Sequence, residues 1–373
     1  MSERPLIAAK FPDLSPRQRQ ELQAHLLAWY ARLRRKLPWR ESKDPYAIWV
    51  SEVMLHQTQV KTVLPYYRKF MKRFPSLRVL ATSRLETVLK IWQGLGYYAR
   101  ARHLHQAAHV ILSKHGEKLP EDFQSLTKLP GVGEYTAGAI LSIAFGKPYP
   151  ALDGNVKRVL ARLFALEGDL GRAAALKHLQ ELARGLLPRN QPGDFNQALM
   201  ELGALVCRPK NPACSSCPLK NRCGAERLGR QNQIPPPLRR TPPKDVEMVS
   251  LFLTRGTKIL LVQNPKEGLF GGLWGLPGGE RRPGQGLTLS LQEALKERLG
   301  VSAKGLRKVA NASATLTHRR ISFHIFRATD LLGTPRPQAY QACRWLKISE
   351  LSGLPLPKAQ RRVLGQVLHK ADL

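Results

Sequence analysis

Acidic side chains are scarce in this sequence of 373 residues. Only 27 aspartates and glutamates oppose 60 lysines and arginines, which leaves a formal net charge of +33. The excess is not confined to one tail, because residues 1–245 carry a net charge of +21 and residues 246–373 one of +12. Each part can therefore lie along a phosphate backbone, and the charge favours nucleic acid as the partner.

Long apolar runs are also missing. The longest stretches without charge, such as residues 135–146, fall short of the roughly 20 apolar residues in a membrane-spanning helix. The N-terminus lacks the basic head and apolar core of a secretory signal. We therefore expect an intracellular protein, cytoplasmic and associated with the nucleoid, with no membrane segment. A hydrophobic content of 43% suits folded domains, and the length predicts two or three of them.

Cysteines are few, and their odd number argues against a disulfide framework. Four of the five follow a C-x6-C-x2-C-x5-C pattern, at Cys207, Cys214, Cys217 and Cys223. Zinc sites usually use pairs separated by two to four residues, which only the middle interval satisfies. Iron-sulfur clusters take four thiolates at more varied intervals. The pattern favours one [4Fe-4S] cluster per chain over zinc, whereas the remote Cys343 is interpreted as a core residue.

The spacing of apolar residues divides the chain. From residue 18 to about residue 206 the spacing is helical, and glycine or proline separates the segments. Residues 224–245 are polar and rich in proline, which predicts a linker stiffened toward polyproline II. We predict an all-α domain at 1–223, this linker, and an α+β domain at 246–373.

The last part of the chain has a period of two at its start, which is typical of strands. Apolar residues at 246–253 and 259–262 flank Arg255-Gly256-Thr257, and this arrangement predicts a hairpin. Residues 289–299 are predicted as a helix, and two further strands are predicted at 310–316 and 320–328.

A short glycine-containing turn lies between two helical patterns. It reads Leu129-Pro130-Gly131-Val132-Gly133, and a helix is predicted from Glu134 to Ala144. Two glycines let the chain turn sharply and expose backbone N–H groups beside a helix N-terminus, which suits a phosphate. The motif is therefore interpreted as a helix-hairpin-helix contact to DNA backbone. An ordinary turn between helices is the alternative.

Two carboxylates are candidates for acid and base chemistry. Glu52 stands in an apolar run, Ala47 to Leu55, and burial there raises the pKa of a carboxyl toward that of a general acid working near neutral pH. A glutamate on the solvent face is the alternative, and this segment taken alone favours it. Asp153 precedes a helical pattern, where an N-cap is the simplest role. Neither residue decides the function alone.

Together these motifs resemble the helix-hairpin-helix DNA glycosylase superfamily and, within it, the adenine DNA glycosylases of the MutY type. The resemblance covers nearly the whole chain and includes, besides the hairpin and the four cysteines, Trp39-Arg40, Ser51-Glu52-Val53-Met54-Leu55, Gln57-Thr58-Gln59-Val60, Gly94-Leu95-Gly96-Tyr97-Tyr98 and Leu152-Asp153-Gly154-Asn155-Val156. It implies removal of adenine mispaired with 8-oxoguanine or guanine in double-stranded DNA. His56 departs from the family, which more often has glutamine there.

The resemblance also implies roles for individual residues. Glu52 would protonate the adenine and later activate water, Asp153 would stabilise the electron-poor sugar, and Tyr135 and Asn155 would hold the two carboxylates. Bifunctional relatives of the endonuclease III type carry a lysine at the position of Tyr135. A phenol cannot form a Schiff base, so we expect a glycosylase with little or no strand cleavage.

Contacts to DNA are implied at several further positions. They comprise the adenine pocket at Trp39 and Arg40, a wedge into the duplex at Gln57 and Tyr97, and DNA-binding positions at Thr58, Gly131, Val132 and Gly133. The target nucleotide must be flipped out of the stack before the chemistry. We expect a monomer that needs no nucleotide cofactor.

The second domain resembles a Nudix domain through Phe270-Gly271-Gly272-Leu273-Trp274 and Leu276-Pro277-Gly278-Gly279. The three usual glutamate positions before Gly300 hold Ala294, Glu297 and Arg298, too few carboxylates for a magnesium site. The resemblance therefore implies recognition of 8-oxoguanine by Thr317 and His318, which follow Leu316 where the family has an aromatic residue. Nucleotide hydrolysis by this domain, or a DNA-binding scaffold without catalysis, are the competing hypotheses.

Overall fold

The computed structural model describes residues 14–236, 242–268, 270–316 and 319–369. The chain divides into two compact units. The first unit comprises Met1–Ala81 and Gln106–Arg239, and the second unit comprises Thr82–His105 and Arg240–Leu373. The domain boundaries given above stay a prediction. No helix within the described ranges is long and apolar enough to cross a membrane.

The first unit is helical throughout its described residues. Its helices are α1 (Pro16–Leu33), α2 (Pro45–Leu55), α3 (Val60–Arg73), α4 (Leu77–Thr82), α7 (Phe123–Thr127), α8 (Glu134–Ile143), α9 (Gly154–Leu163), α10 (Ala173–Leu186), α11 (Pro192–Leu205) and α12 (Gly224–Arg227), together with the C-terminal part of α6 (Tyr98–Lys114). Short polar side chains fix where several of them begin, because they accept bonds from otherwise unpaired N–H groups. Ser15 forms a capping box with Gln18, and the Asp44 side chain accepts from the Tyr46 N–H.

Ordered structure continues into the segment predicted as a linker. Gly224 and Ala225 are buried in α12, and Ile234 is 1% exposed within the core that α1, α9 and α11 share. Arg162 Nε donates to the Ile234 carbonyl over 2.8 Å. The proline-rich composition did not reveal this packing, because one apolar side chain and a backbone carbonyl suffice to anchor the segment.

The second unit combines strands and helices. Its elements are α5 (Leu85–Trp92), the N-terminal part of α6, β1 (Lys244–Phe252), β2 (Thr254–Arg255), β3 (Lys258–Gln263), β4 (Trp274–Gly275), β5 (Gly278–Glu280), α13 (Leu287–Leu299), β6 (Ser302–Lys304), β7 (Arg307–Leu316), β8 (Arg319–Arg327), β9 (Asp330–Leu332), β10 (Ala342–Lys347) and α14 (Lys358–His369). The helix and the two strands predicted after residue 289 are confirmed.

The strands form small mixed sheets. One sheet has the order β5-β1-β8-β7, with β1 and β8 parallel and the other neighbours antiparallel. A second sheet has the order β10-β3-β2, with β4 also paired to β3, and β6 pairs with β9. The predicted hairpin is formed by β2 and β3, whereas β1 pairs with β5 and β8 instead of β3. Local turn chemistry fixes the hairpin, but the partners of β1 depend on contacts distant in sequence.

Alternate side chains of β1 pack into two different hydrophobic clusters. Val246 contributes to the cluster that holds Val363 and Val367 of α14. Val249 contributes to the cluster that holds Leu291 of α13. Successive side chains of a strand point to opposite faces, so the sheet lies between the two helices. The fold class predicted from the sequence, an all-α domain followed by an α+β domain, is confirmed.

Candidate active site

Glu52 lies in the most apolar helix of the site. Every residue of α2 from Tyr46 to Met54 is buried, and Glu52 itself is 5% exposed. Its Oε2 accepts a hydrogen bond from the Tyr135 hydroxyl over 2.5 Å. The solvent-facing position that this segment alone favoured is therefore wrong, because α8 covers this side of α2 and supplies a polar partner.

Burial raises the pKa of Glu52 to about 7. The Tyr135 hydroxyl and Arg40 oppose the rise, because both favour the carboxylate, whereas the negative charge of Asp153 adds to it. Burial and the charge of Glu52 also hold the pKa of Tyr135 well above its ordinary value, so the phenol keeps its proton. At neutral pH a protonated Glu52 is consequently well populated, as a general acid requires.

Asp153 is both a helix cap and a member of the site. Its Oδ1 accepts from the Val156 N–H over 2.7 Å at the start of α9, and its Oδ2 accepts from Asn155 Nδ2 over 2.9 Å. Burial raises its pKa, while the Val156 N–H and Asn155 oppose that shift. The N-cap interpretation is confirmed, and it leaves the carboxylate held by donors on both oxygens.

A cavity of about 940 Å³ in the first unit joins these groups. Its lining includes Glu52, Tyr135, Asp153, Asn155, Trp39, Arg40, Gln57 and Thr58. Eight of the residues proposed from the sequence thus meet at one place, although they come from five separate stretches of the chain. Binding pockets of this size hold molecules as large as a nucleotide.

A buried carboxylate of this cavity escaped sequence analysis. Glu201 is 0% exposed and accepts hydrogen bonds from Arg40 Nη1 at 3.0 Å and Nη2 at 2.9 Å, and from Arg35 Nη2 at 2.6 Å. Despite its burial, these bonds from Arg35 and Arg40 lower the pKa of Glu201 to about 2. Its setting in an apolar run resembles that of Glu52, and this pattern was the available clue.

Arg158 ties Asp153 to the cysteine loop. Its Nη2 donates to Asn155 Oδ1 over 2.9 Å, and its Nε donates to the Cys207 carbonyl over 2.9 Å. Gly203 of α11 permits this approach, because an added Cβ would lie 2.6 Å from the Asn155 Cβ. The position of Asp153 therefore depends on the fold of the loop that begins at Cys207.

Both parts of the chain match known protein families. Residues 50–185 match the HhH-GPD superfamily of base excision DNA repair proteins, and residues 248–366 match the NUDIX domain. Human adenine DNA glycosylase is 35% identical over 394 residues, which cover 91% of this chain and 72% of the human protein. The chain belongs to the adenine DNA glycosylase family.

The chain is also similar to a second adenine DNA glycosylase and to a solved glycosylase structure. The adenine DNA glycosylase of Buchnera aphidicola subsp. Schizaphis graminum is 41% identical over 229 residues, covering 61% of this chain and 65% of that protein. The structure of a thermostable thymine-DNA glycosylase shares 30% identity, with a TM-score of 0.53, and covers 58% of this chain and all of that one. The predictions of a DNA glycosylase and of a helix-hairpin-helix fold followed by a Nudix domain are confirmed.

The hairpin of this glycosylase-family chain has the geometry that its sequence predicts. Gly131 has φ +74°, in the left-handed region, and the Val132 N–H bonds to the Leu129 carbonyl over 3.1 Å. Gly133 is the N-cap of α8, and nothing lies within 4 Å of a Cβ built there. The first N–H groups of a helix have no partner within it, so this end can accept a phosphate.

The two wedge candidates both adopt strained backbone conformations. Gln57 has φ +55° and is exposed, and Tyr97 has φ +48° and is 42% exposed. Positive φ is costly for residues other than glycine and occurs often at functional sites. Gln57 belongs to the first unit and Tyr97 to the second.

The cysteine loop contains the chemistry of a four-thiolate site. Burial raises the pKa of Cys214 to about 12 and that of Cys217 to about 11, and neighbouring cysteines add to both shifts. Arg162 Nη1 donates to Cys207 Sγ over 3.3 Å. Half-buried thiols that raise one another's pKa are suited to a cationic centre. No group of three or more such ligands within the described ranges has the arrangement of a metal site.

Two of the three positions compared with Nudix glutamates, Glu297 and Arg298, are engaged in contacts within the second unit. Arg298 Nη1 donates to the Gly278 carbonyl over 3.2 Å, and its guanidinium lies 4.7 Å from the centre of the Tyr340 ring. Glu297 pairs with Arg282 over 2.5 Å. Thr317 and His318, the predicted readers of the damaged base, lie outside the described residues.

Proposed function

We propose that this glycosylase removes adenine paired with 8-oxoguanine or guanine in duplex DNA and does not cleave the strand efficiently. The observation that carries the proposal is the protonatable, buried Glu52 in the same cavity as Asp153. Support for the substrate comes from the family, whose human and bacterial members bear the name adenine DNA glycosylase. We also propose that the protein acts as a monomer in the cytoplasm, close to DNA.

The proposed chemistry needs two carboxyl groups with different tasks. Glu52 donates its proton to the imidazole ring of a flipped adenine, because a neutral base leaves far more readily than an anionic one. Asp153 remains ionised and stabilises the positive charge that develops on the sugar. Glu52, now a carboxylate, then accepts a proton from the attacking water. The different pKa values of buried carboxyls make such a division of roles possible.

Tyr135 supports the proposal of a monofunctional enzyme. Its hydroxyl is committed to Glu52, and a phenol offers no amine for a Schiff base. In the proposed role it holds Glu52 toward the cavity. Asn155 and Arg158 do the same for Asp153 through the bonds described above.

We propose that the four cysteines hold a [4Fe-4S] cluster, with zinc as the alternative. Cys207, Cys214, Cys217 and Cys223 would be its ligands, and the cluster would supply a rigid link rather than a step of hydrolysis. The Arg162 donor to Cys207 Sγ supports a cluster there, because hydrogen bonds to the ligating sulfurs help to tune iron-sulfur clusters. Arg158 bonds to both the Cys207 carbonyl and Asn155, so a rigid cysteine loop would help to fix the position of Asp153.

Purified anaerobically, the protein should contain about four irons per chain and show broad visible absorption, as a [4Fe-4S] cluster requires. Cys214→Ser should lower iron content and DNA affinity together, because the basic loop loses its fixed shape. Cys343→Ser is the matched control, since Cys343 lies in the other unit. Stoichiometric zinc without iron would contradict the assignment.

Recognition of the opposite base is proposed to lie in the second unit. Arg298 and Ala294 occupy two positions where hydrolytic Nudix enzymes need carboxylates, which supports recognition over nucleotide hydrolysis. A scaffold without catalysis is disfavoured by the group formed by Glu52, Tyr135, Asp153 and Asn155. The alternative is that this unit only binds the DNA backbone electrostatically, because its net charge is positive.

His318→Ala should reduce the preference for 8-oxoguanine over guanine by roughly 5- to 150-fold, the worth of a hydrogen bond to a buried polar base edge. Adenine release would be measured on both duplexes, together with binding at several salt concentrations. His109→Ala is the matched control for loss of a histidine. Equal losses on the two duplexes that shrink as salt rises would show an electrostatic role instead.

A further inference from the structure

Residues 82–105 lie between two helical segments of the first unit in sequence but belong to the second unit in space. This segment contains α5, the start of α6, and the loop that carries Tyr97. No pattern in the sequence predicts its partner, because its own periodicity is that of an ordinary amphipathic helix. What holds it in the second unit can be read from its contacts.

The first contact is a hydrogen bond from a buried side chain. Trp274 of the Nudix part is 2% exposed, and its indole Nε1 donates to Glu86 Oε1 over 2.8 Å. A buried indole N–H needs a partner, so Glu86 fixes α5 against β4. Leu89, one turn further along α5, lies against Gly272, where an added Cβ would approach Leu89 Cδ1 to 3.2 Å.

The second contact is at the end of α5, next to the Tyr97 loop. Gln93 Nε2 donates to the Leu356 carbonyl over 2.9 Å, and Gln93 Oε1 accepts from Arg361 Nη2 over 3.1 Å. Both hydrogen-bonding ends of this amide are therefore used by residues near the C-terminus of the chain. A third bond runs from Arg102 Nη1 to the Gly271 carbonyl over 3.0 Å, on the other side of the loop.

The loop between these anchors holds Tyr97 in a strained backbone conformation. Gly94, Gly96 and Tyr97 all have positive φ, at +99°, +80° and +48°. The Gly96 carbonyl accepts from Trp92 Nε1 over 3.1 Å and from Arg100 Nη2 over 3.1 Å. A conformation of this kind persists only when its surroundings determine it, and here the surroundings include the Nudix contacts at Glu86, Gln93 and Arg102.

We infer that the Nudix part of the chain positions the Tyr97 wedge, in addition to any reading of the damaged base. Trp274, Leu356, Arg361 and Gly271 form the surface that holds the loop, and Trp274 and Gln93 are positioning residues. The inference rests on the proposed function in one respect, the role of Tyr97 as a wedge. The Nudix part would then have two tasks. Positioning of the Tyr97 wedge would affect the unstacking of any duplex, whereas base reading would distinguish 8-oxoguanine from guanine.

Trp274→Phe and Gln93→Met test this inference in the full-length protein. Gln93→Met nearly keeps the side-chain volume, Trp274→Phe keeps an aromatic ring of smaller size, and both remove the hydrogen bonds to the partner segment. Hydrogen exchange at the amides of residues 94–98 should become roughly 3- to 10-fold faster, the worth of one hydrogen bond. The fluorescence of 2-aminopurine placed beside the mispair reports unstacking of the duplex. This unstacking should fall by a similar factor on duplexes that carry 8-oxoguanine and on duplexes that carry guanine. The preference for 8-oxoguanine should not change.

Trp345→Phe is the matched control, because Trp345 packs against the other hydrophobic cluster of the same unit. Unchanged exchange and unstacking in both test variants would overturn the inference, as would an equal effect of Trp345→Phe. Tyr97→Ala separates the role of Tyr97 as a wedge from the positioning of its loop by the Nudix part. If it leaves unstacking intact, the wedge assignment of the proposed function fails, while the exchange measurement still decides whether the Nudix contacts hold the loop.

Discussion

Glu52→Gln should bind the mispaired duplex normally and release almost no adenine. The amide keeps the size of the side chain but has no proton of suitable acidity to give to the leaving base. Loss of general acid catalysis costs about 10² to 10⁴ in rate. A reaction that depends on protonation of the leaving base should reach the upper end of that range. Single-turnover release of free adenine from an A opposite 8-oxoguanine duplex measures the effect.

Glu52→Gln should also fold normally, so that a loss of activity reflects the chemistry and not the fold. Glu52 is buried, but an amide there can still accept the bond from the Tyr135 hydroxyl, so thermal unfolding should be close to that of the unsubstituted protein. Tyr135→Phe provides the complementary control, because it removes that bond and leaves the carboxyl. Release of adenine by Glu52→Gln within tenfold of the normal rate would rule out Glu52 as the acid.

Asp153→Asn should lower adenine release by about 10² to 10³, the cost of removing one group that stabilises transition-state charge. Asparagine caps a helix about as well as aspartate, so the start of α9 should survive the change. The substitution therefore removes the negative charge beside the sugar and spares the local fold. Single-turnover rates and thermal unfolding should be measured on the same preparations.

Asp153→Ala separates the two roles of this residue. Alanine removes the cap as well as the charge, which costs ~1 kcal/mol of stability in addition. We expect unfolding at a lower temperature for the alanine variant than for the asparagine variant, with similar losses of rate. A normal rate in Asp153→Asn would mean that Asp153 is only a cap.

Residues with a local sequence pattern were predictable. Gly131 and Gly133 mark a turn with defined backbone geometry, and Asp153 precedes a helix as an N-cap does. Glu201 could be suspected from its apolar run, but nothing local pairs it with Arg35 and Arg40, because those residues lie about 160 positions away. Burial of Glu52 was likewise undetermined by its own helix, since α8 provides the cover.

The placement of elements depended more strongly on distant contacts. The β2 and β3 hairpin follows from the turn at Gly256, yet the parallel pairing of β1 with β8 joins segments about 75 residues apart. Residues 82–105 have an ordinary helical pattern, and their hydrogen bonds with Trp274, Leu356, Arg361 and Gly271 show that they belong to the second unit. Such pairings carry little signal in a single sequence, because the partners lie far apart along the chain and no local motif specifies them.

The pH dependence of adenine release tests the central claim, catalysis by a protonated Glu52, most directly. Measured below saturation, the rate reports the free enzyme. With the pKa of Glu52 at about 7, the acid form is present below that pH and is lost above it. The rate should therefore fall roughly tenfold for each pH unit above about 7, and it should fall again at low pH, where Asp153 becomes protonated. A rate that stays constant or rises between about pH 7 and about pH 9 would contradict the assignment of Glu52 as the general acid.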